Sequence, residues 1–236
     1  GASAEEMVNT SIQNLEYEII NAISKISAKR PATIGILHGQ GELDKPYLAD
    51  FYKSVSASYP THYLQIKNQL NALKDYDCLV IAKPDSAFDE KDKFIIDQFI
   101  MRGGKVLWLL DMMNADMDSL ARKNEFIAIP KELNLDDMLF RYGVRLNKDL
   151  VMDLQAVPIP ILTGYVGNRP QNSMLPWFYY PLVTPTSKHP IVNNLKAIRF
   201  AFAGSIDTIV SAHIKKTILL QSSHYCKTVQ SPAVVS

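Results

Sequence analysis

The apolar positions change their period several times along the chain, and each change marks an element. The pattern is clearest between residues 77 and 111. Residues 78–82 (Cys-Leu-Val-Ile-Ala) form the continuous apolar run that a strand covered on both faces requires. Asp89 can then cap a helix, with Glu90 and Asp92 in a first turn where negative charge suits the helix dipole. Ile95, Ile96, Phe99 and Ile100 recur at helical spacing, and Gly103 fits the left-handed residue past a helix end. Residues 106–110 predict a second buried strand. Strand, helix and strand at this length predict a βαβ unit with parallel strands and a right-handed crossover.

The alternation extends upstream. Val8, Ile12, Leu15, Ile19, Ile23 and Ile26 lie three or four apart and predict an amphipathic helix over residues 5–27, ended by Arg30-Pro31. Residues 33–37 predict a short buried strand. Residues 44–58 predict a helix that tolerates Pro46 in its first turn and buries Leu48, Phe51, Tyr52 and Val55. Residues 63–66 predict another strand, and 70–73 a short turn or helix. This repetition is the pattern of an open, mainly parallel α/β sheet.

After Asp111 the texture changes. Asn134 can cap a helix through Leu135, Met138, Leu139 and Tyr142 that Gly143 ends, and residues 144–146 could add a strand to the sheet. Residues 161–166 and 177–183, around a turn at 167–170, predict antiparallel β structure. Residues 198–203, 208–210 and 217–221 predict further strands. A boundary near Val151 separates an α/β domain (1–150) from residues 151–236. That second part is either a β-rich subdomain or a set of strands extending the first sheet.

Composition narrows the function classes. The 236 residues, 47% of them hydrophobic, suffice for one large domain or for one domain and a smaller one. A net charge of +1 with no long run of one sign argues against a dedicated nucleic-acid binder. No stretch approaches the roughly 20 apolar residues of a membrane-spanning helix. Residues 1–4 look like an excised boundary, and the chain reads as a piece of something longer. Cys78, inside an apolar strand, reads as a core residue, and nothing requires it to pair with Cys226.

In an open α/β sheet, ligands bind beyond the carboxyl ends of the strands. Those ends carry His38, Gly39, Gln40 and Glu42, then Lys83 and Asp85, then Asp111. His38, Gln40 and Glu42 could form a polar site; equally, Gly39 and Gly41 could serve a tight turn whose polar side chains face water. Gly39-x-Gly41 lacks the third glycine of a dinucleotide fingerprint, and the chain has no Gly-Lys-Ser/Thr phosphate loop, so no cofactor is implied. No Gly-x-Ser-x-Gly elbow occurs. The five histidines are scattered away from metal-ligand spacing, and Asp111, Asp116 and Asp118 lack the spacing of a calcium loop. The residues therefore indicate no catalytic group and no metal. Trp177, Phe178, Tyr179 and Tyr180, between two prolines, predict either a partner-binding surface or an ordinary β core.

Several segments together resemble a known family. They are Ser11-Ile12-Gln13-Asn14-Leu15-Glu16-Tyr17-Glu18, Ile36-Leu37-His38-Gly39-Gln40-Gly41-Glu42, and Gly103-Gly104-Lys105-Val106-Leu107-Trp108-Leu109-Leu110-Asp111. Pro176-Trp177-Phe178-Tyr179-Tyr180-Pro181-Leu182-Val183-Thr184-Pro185 and His189-Pro190-Ile191-Val192 complete the set. The chain resembles GldG, the gliding-motility-associated ABC transporter component, along nearly its whole length. The resemblance implies a flavodoxin-like sheet similar to class I glutamine amidotransferases and shared with ciliary transport proteins, followed by a β-rich extension. It also implies a bacterial inner-membrane protein with a large extracytoplasmic region, anchored through segments absent from this chain. Its implied partners are an ABC permease and its ATPase. Lys83-Pro84 stands where the amidotransferases carry their catalytic cysteine, which argues against that activity. The expected function is a non-enzymatic scaffold; small-ligand capture near His38, Gln40, Glu42 and Asp111 is the alternative, and a residual hydrolase or transferase ranks third.

Overall fold

Ile34–Leu37 (β1) pairs in parallel with Thr61–Leu64 (β2) on one side and Cys78–Ala82 (β3) on the other, Ile34 standing opposite both Thr61 and Cys78. The computed structural model describes residues 15, 19, 20, 22, 23, 26, 27 and 30–236 except 123, 124, 194 and 212. The chain forms two compact units, residues 1–82 with 94–108, and residues 83–93 with 109–236.

In the first unit the sheet order is β2-β1-β3-β4, with β4 at Lys105–Leu109. Lys105 N donates to Asp77 O at 3.0 Å and Lys83 N to Leu109 O at 2.7 Å, so β4 runs in the same direction as β3. Four parallel strands confirm the α/β layer. Ile36, Leu79, Ile81 and Ala82 are inaccessible to solvent, and burying a side chain of this size contributes on the order of 2 kcal/mol. Ile36, Val80 and Ala82 pack with Leu48, which lies in a 3-10 turn at Lys45–Leu48 ahead of helix α1 (Ala49–Ser56). Pro46 shapes that turn, which is why the regular helix starts later than its sequence pattern. Helix α2 (Glu90–Met101) buries Ile95, Ile96 and Phe99.

The N-terminus of α2 is closed by Asp89 Oδ1, which accepts Asp92 N at 2.7 Å. Its C-terminus is closed by Gly103 (φ +94), with Gly104 N donating to Phe99 O at 3.0 Å. The expectation of a fully buried β4 is corrected. The strand alternates, leaving Leu107 and Leu109 42% and 46% exposed, because it is the end strand of its sheet. At the amino end, Leu15, Ile19, Ile20, Ile23 and Ile26 are helical and exposed. Val8 and Ile12 of the expected helix lie outside the described residues.

The second unit is built from short antiparallel pairings. Met113–Asn114 (β5), Phe126–Pro130 (β6) and Ala233–Val235 (β14) form one sheet in the order β14-β6-β5. Val144–Leu146 (β7) pairs with Ile206–Thr208 (β12), and Asp149–Asp153 (β8) with Cys226–Gln230 (β13). Thus 144–146 is a strand but does not join the parallel sheet. Helices α3 (Met117–Arg122) and α4 (Asp136–Arg141) are one to two turns each. Asn134 does not cap α4. It adopts φ +56, and its side-chain amide donates to Phe88 O and to Glu90, both at 2.9 Å. The core gathers Met113, Ala128, Leu150, Trp177, Tyr179 and Phe202. Phe126, Tyr179 and Tyr180 surround the Phe202 ring at 6.2, 5.9 and 5.5 Å.

The longest feature is a ribbon of Ala156–Val166 (β9) and Arg169–Val183 (β10), turned at Gly167 (φ +63). Pro158 stands opposite Pro176, Pro160 opposite Met174, and Pro170 opposite Tyr165. A proline has no N–H to give, so these pairs must be the non-hydrogen-bonded ones, in which backbone N–H groups face away from the partner strand. Prolines thus occupy outward-facing donor positions on both rims of the ribbon. Ile198–Arg199 (β11) joins the far end of β10. The strands expected at 198–203 and 208–210 are shorter and displaced, and 217–221 is not a strand. The ladders with β10 and β7 end after two and three residues, and residues 217–221 join no ladder among the described residues.

Candidate functional site

The sheet topology places His38, Gly39, Gln40 and Glu42 on one loop at the carboxyl end of β1. Gly39 (φ +136) and Gly41 (φ +72) hold backbone conformations that favour glycine, and they fold the loop back on itself. Gly39 N and Gln40 N then both donate to Glu42 Oε2 at 2.8 Å. Two convergent backbone N–H groups at a strand end are what an anionic ligand would use. Here a carboxylate of the same loop takes them. Glu42 Oε1 is buried and has no hydrogen-bond partner among the described residues. Leu43 N ties the loop to Ala82 O at 3.0 Å, and His38 Nε2 lies 3.0 Å from Gln65 Nε2.

The other strand-end candidates belong to the second unit. Lys83, directly after β3, adopts φ +52, and its ammonium pairs with Asp111 at 3.3 Å. Asp85 pairs with Lys131 at 3.0 Å. The structure therefore brings Lys83 to Asp111, leaves Asp85 to a different cation, and keeps the first four candidates on their own loop. Asp116 is a helix cap: its carboxylate accepts Ser119 N at 2.6 Å and Ser119 Oγ at 3.2 Å.

The aromatic run divides by alternation. Trp177 and Tyr179 point into the core, and the Tyr179 hydroxyl donates to Val234 O at 3.3 Å. Burial pushes the Tyr179 phenol above its ordinary range. Tyr180 is half-buried beneath the Arg199 guanidinium at 5.3 Å, and Phe178 is exposed. The Trp177 indole N–H is buried with no partner among the described residues.

Sequence reasoning missed a charged cluster in the second unit. The Lys93 side chain is 7% exposed and donates to Asp137 at 2.7 Å and Glu90 at 3.1 Å. Burial works against its charge, but these hydrogen bonds outweigh it and raise the pKa. The Lys93 hydrogen bond in turn holds Asp137 below the usual carboxylate range, and Asn134 does the same for Glu90. The only signal in the sequence was Asn134, a residue type that tolerates the left-handed region. The cluster lines an open depression of about 340 Å³. A wider one, about 710 Å³, is bordered by Phe140, Arg141, Arg145 and Lys148. Its cations are all paired, Arg141 with Asp137, Arg145 with Asp207 and Lys148 with Glu132. Among the described residues no group of three or more His, Cys, Asp or Glu could hold a metal ion, and no helix is long and apolar enough to cross a membrane. Cys78 and Cys226 are free thiols.

Comparison with known proteins adds the family. An uncharacterised protein of Borreliella burgdorferi is 22% identical over 232 residues, which cover 95% of this chain and 44% of that protein. The chain therefore spans less than half the length of this curated relative. Among solved structures, the mmIFT52 N-terminal domain matches with a TM-score of 0.56 at 13% identity, over 83% of this chain and 75% of that one. This likeness shows a shared fold. The family model described as ABC-type uncharacterized transport system matches residues 31–236. Since that match takes in the parallel sheet, the strand-end loop and the ribbon alike, the chain belongs to the ABC-type uncharacterized transport system family.

Proposed function

We propose that this domain is a non-enzymatic, extracytoplasmic interaction module of a GldG-like transport system, working beside a permease and its ATPase. The observation that carries the reading is the closure of the strand-end loop by Glu42, whose carboxylate takes the Gly39 and Gln40 amides. A capture protein needs convergent polar groups left open for its ligand. Here the loop amides, Lys83 and the cations around the depressions already have partners within the chain. Lys83 at the carboxyl end of β3 supplies no thiol or hydroxyl nucleophile, which weakens the hydrolase and transferase readings.

Ligand capture is the second reading, and one observation favours it: the buried Glu42 Oε1 could accept a hydrogen bond from a donor group. Thermal-shift screening against sugars, peptides and lipids separates the two. The interaction reading expects no reproducible shift, together with co-purification of the full-length protein with its permease and ATPase. A shift abolished by Gln40→Ala and Glu42→Ala would overturn it.

A further inference from the structure

We draw no further inference here: the strongest candidate, the exposed apolar face of the β9–β10 ribbon around Leu162 and Met174, carries nothing because nothing in the structure shows what covers it.

Discussion

The Asp153 carboxylate grips Ser223 through two bonds, accepting its backbone N–H at 2.7 Å and its hydroxyl at 2.5 Å across 70 residues of chain. At the other end of β8, Asp149 holds Ser205 in the same way, at 2.8 and 2.7 Å. Both carboxylates are nearly inaccessible, 1% for Asp149 and 2% for Asp153. Burial opposes the Asp153 charge, but the hydrogen bonds from Ser223 and Gln155 outweigh it and hold the pKa below the usual carboxylate range. A carboxyl depressed on folding adds stability that is complete above its ordinary pKa of about 3.9, and this is lost as pH falls through the lower folded value. Thermal unfolding followed from neutral pH into acid should therefore show a loss below about pH 4. Asp153→Asn should start less stable and show a smaller loss, and Ser223→Ala should cost about 1–3 kcal/mol. Identical pH profiles for Asp153→Asn and the unaltered chain would refute the clasp.

The Lys93 cluster should respond asymmetrically. Removing the buried Lys93 ammonium leaves Glu90 and Asp137, 78% and 48% exposed, able to hydrate, whereas removing a carboxylate leaves the buried cation short of a partner. Lys93→Met should lie within about 1 kcal/mol of the parent in urea unfolding, or above it. Asp137→Ala should lose on the order of 1–2 kcal/mol, less than for a fully buried pair because its carboxylate is 48% exposed. A larger loss for Lys93→Met than for Asp137→Ala would contradict this account.

Gly104 is fixed by an aromatic ring. A Cβ there would stand 2.5 Å from carbons of Phe99, itself buried in the first unit. Gly104→Ala should destabilise by roughly 1–3 kcal/mol through overpacking. Adding Phe99→Leu to Gly104→Ala should recover part of that loss relative to Phe99→Leu alone, and strictly additive effects would count against the clash.

Glu42→Ala should release the loop amides without disturbing the sheet. Hydrogen exchange at Gly39 and Gln40 should quicken, while exchange at Ile36 and Leu79 in the parallel core should keep its rate. Unchanged protection at Gly39 and Gln40 would show that the carboxylate does not hold the loop.

How much of this was legible follows from where each element obtains its partners. β3 has the limits its apolar run predicts, since burial on both faces leaves a continuous signature in a few residues. Helix α2 was legible through Asp89 and Gly103, whose cap geometries depend on neighbours within five positions. In the second unit the β9–β10 hairpin, the helix before Gly143 and the strand at 144–146 were legible, but the partners of the short strands were not. β13 has the exposure of a surface segment and no period, and its place beside β8 is helped by Asp153 and Ser223, far apart in sequence. His38, Gln40 and Glu42 could be placed at a strand end from topology alone. That Glu42 turns inward onto two amides depends on the φ of Gly39 and Gly41, which residue type permits but does not dictate. Lys93 and Asp137 were hidden for a related reason: 44 positions separate them, and each alone reads as a solvated charge.

The prolines along the ribbon have a consequence for how this chain behaves when crowded. A nearly uncharged hairpin with open rims would be a seed for cross-β growth, each molecule offering the next a row of backbone donors. Pro158, Pro160, Pro170 and Pro176 interrupt that row on both sides. The hairpin can display an oily surface yet give a fibril no template to extend.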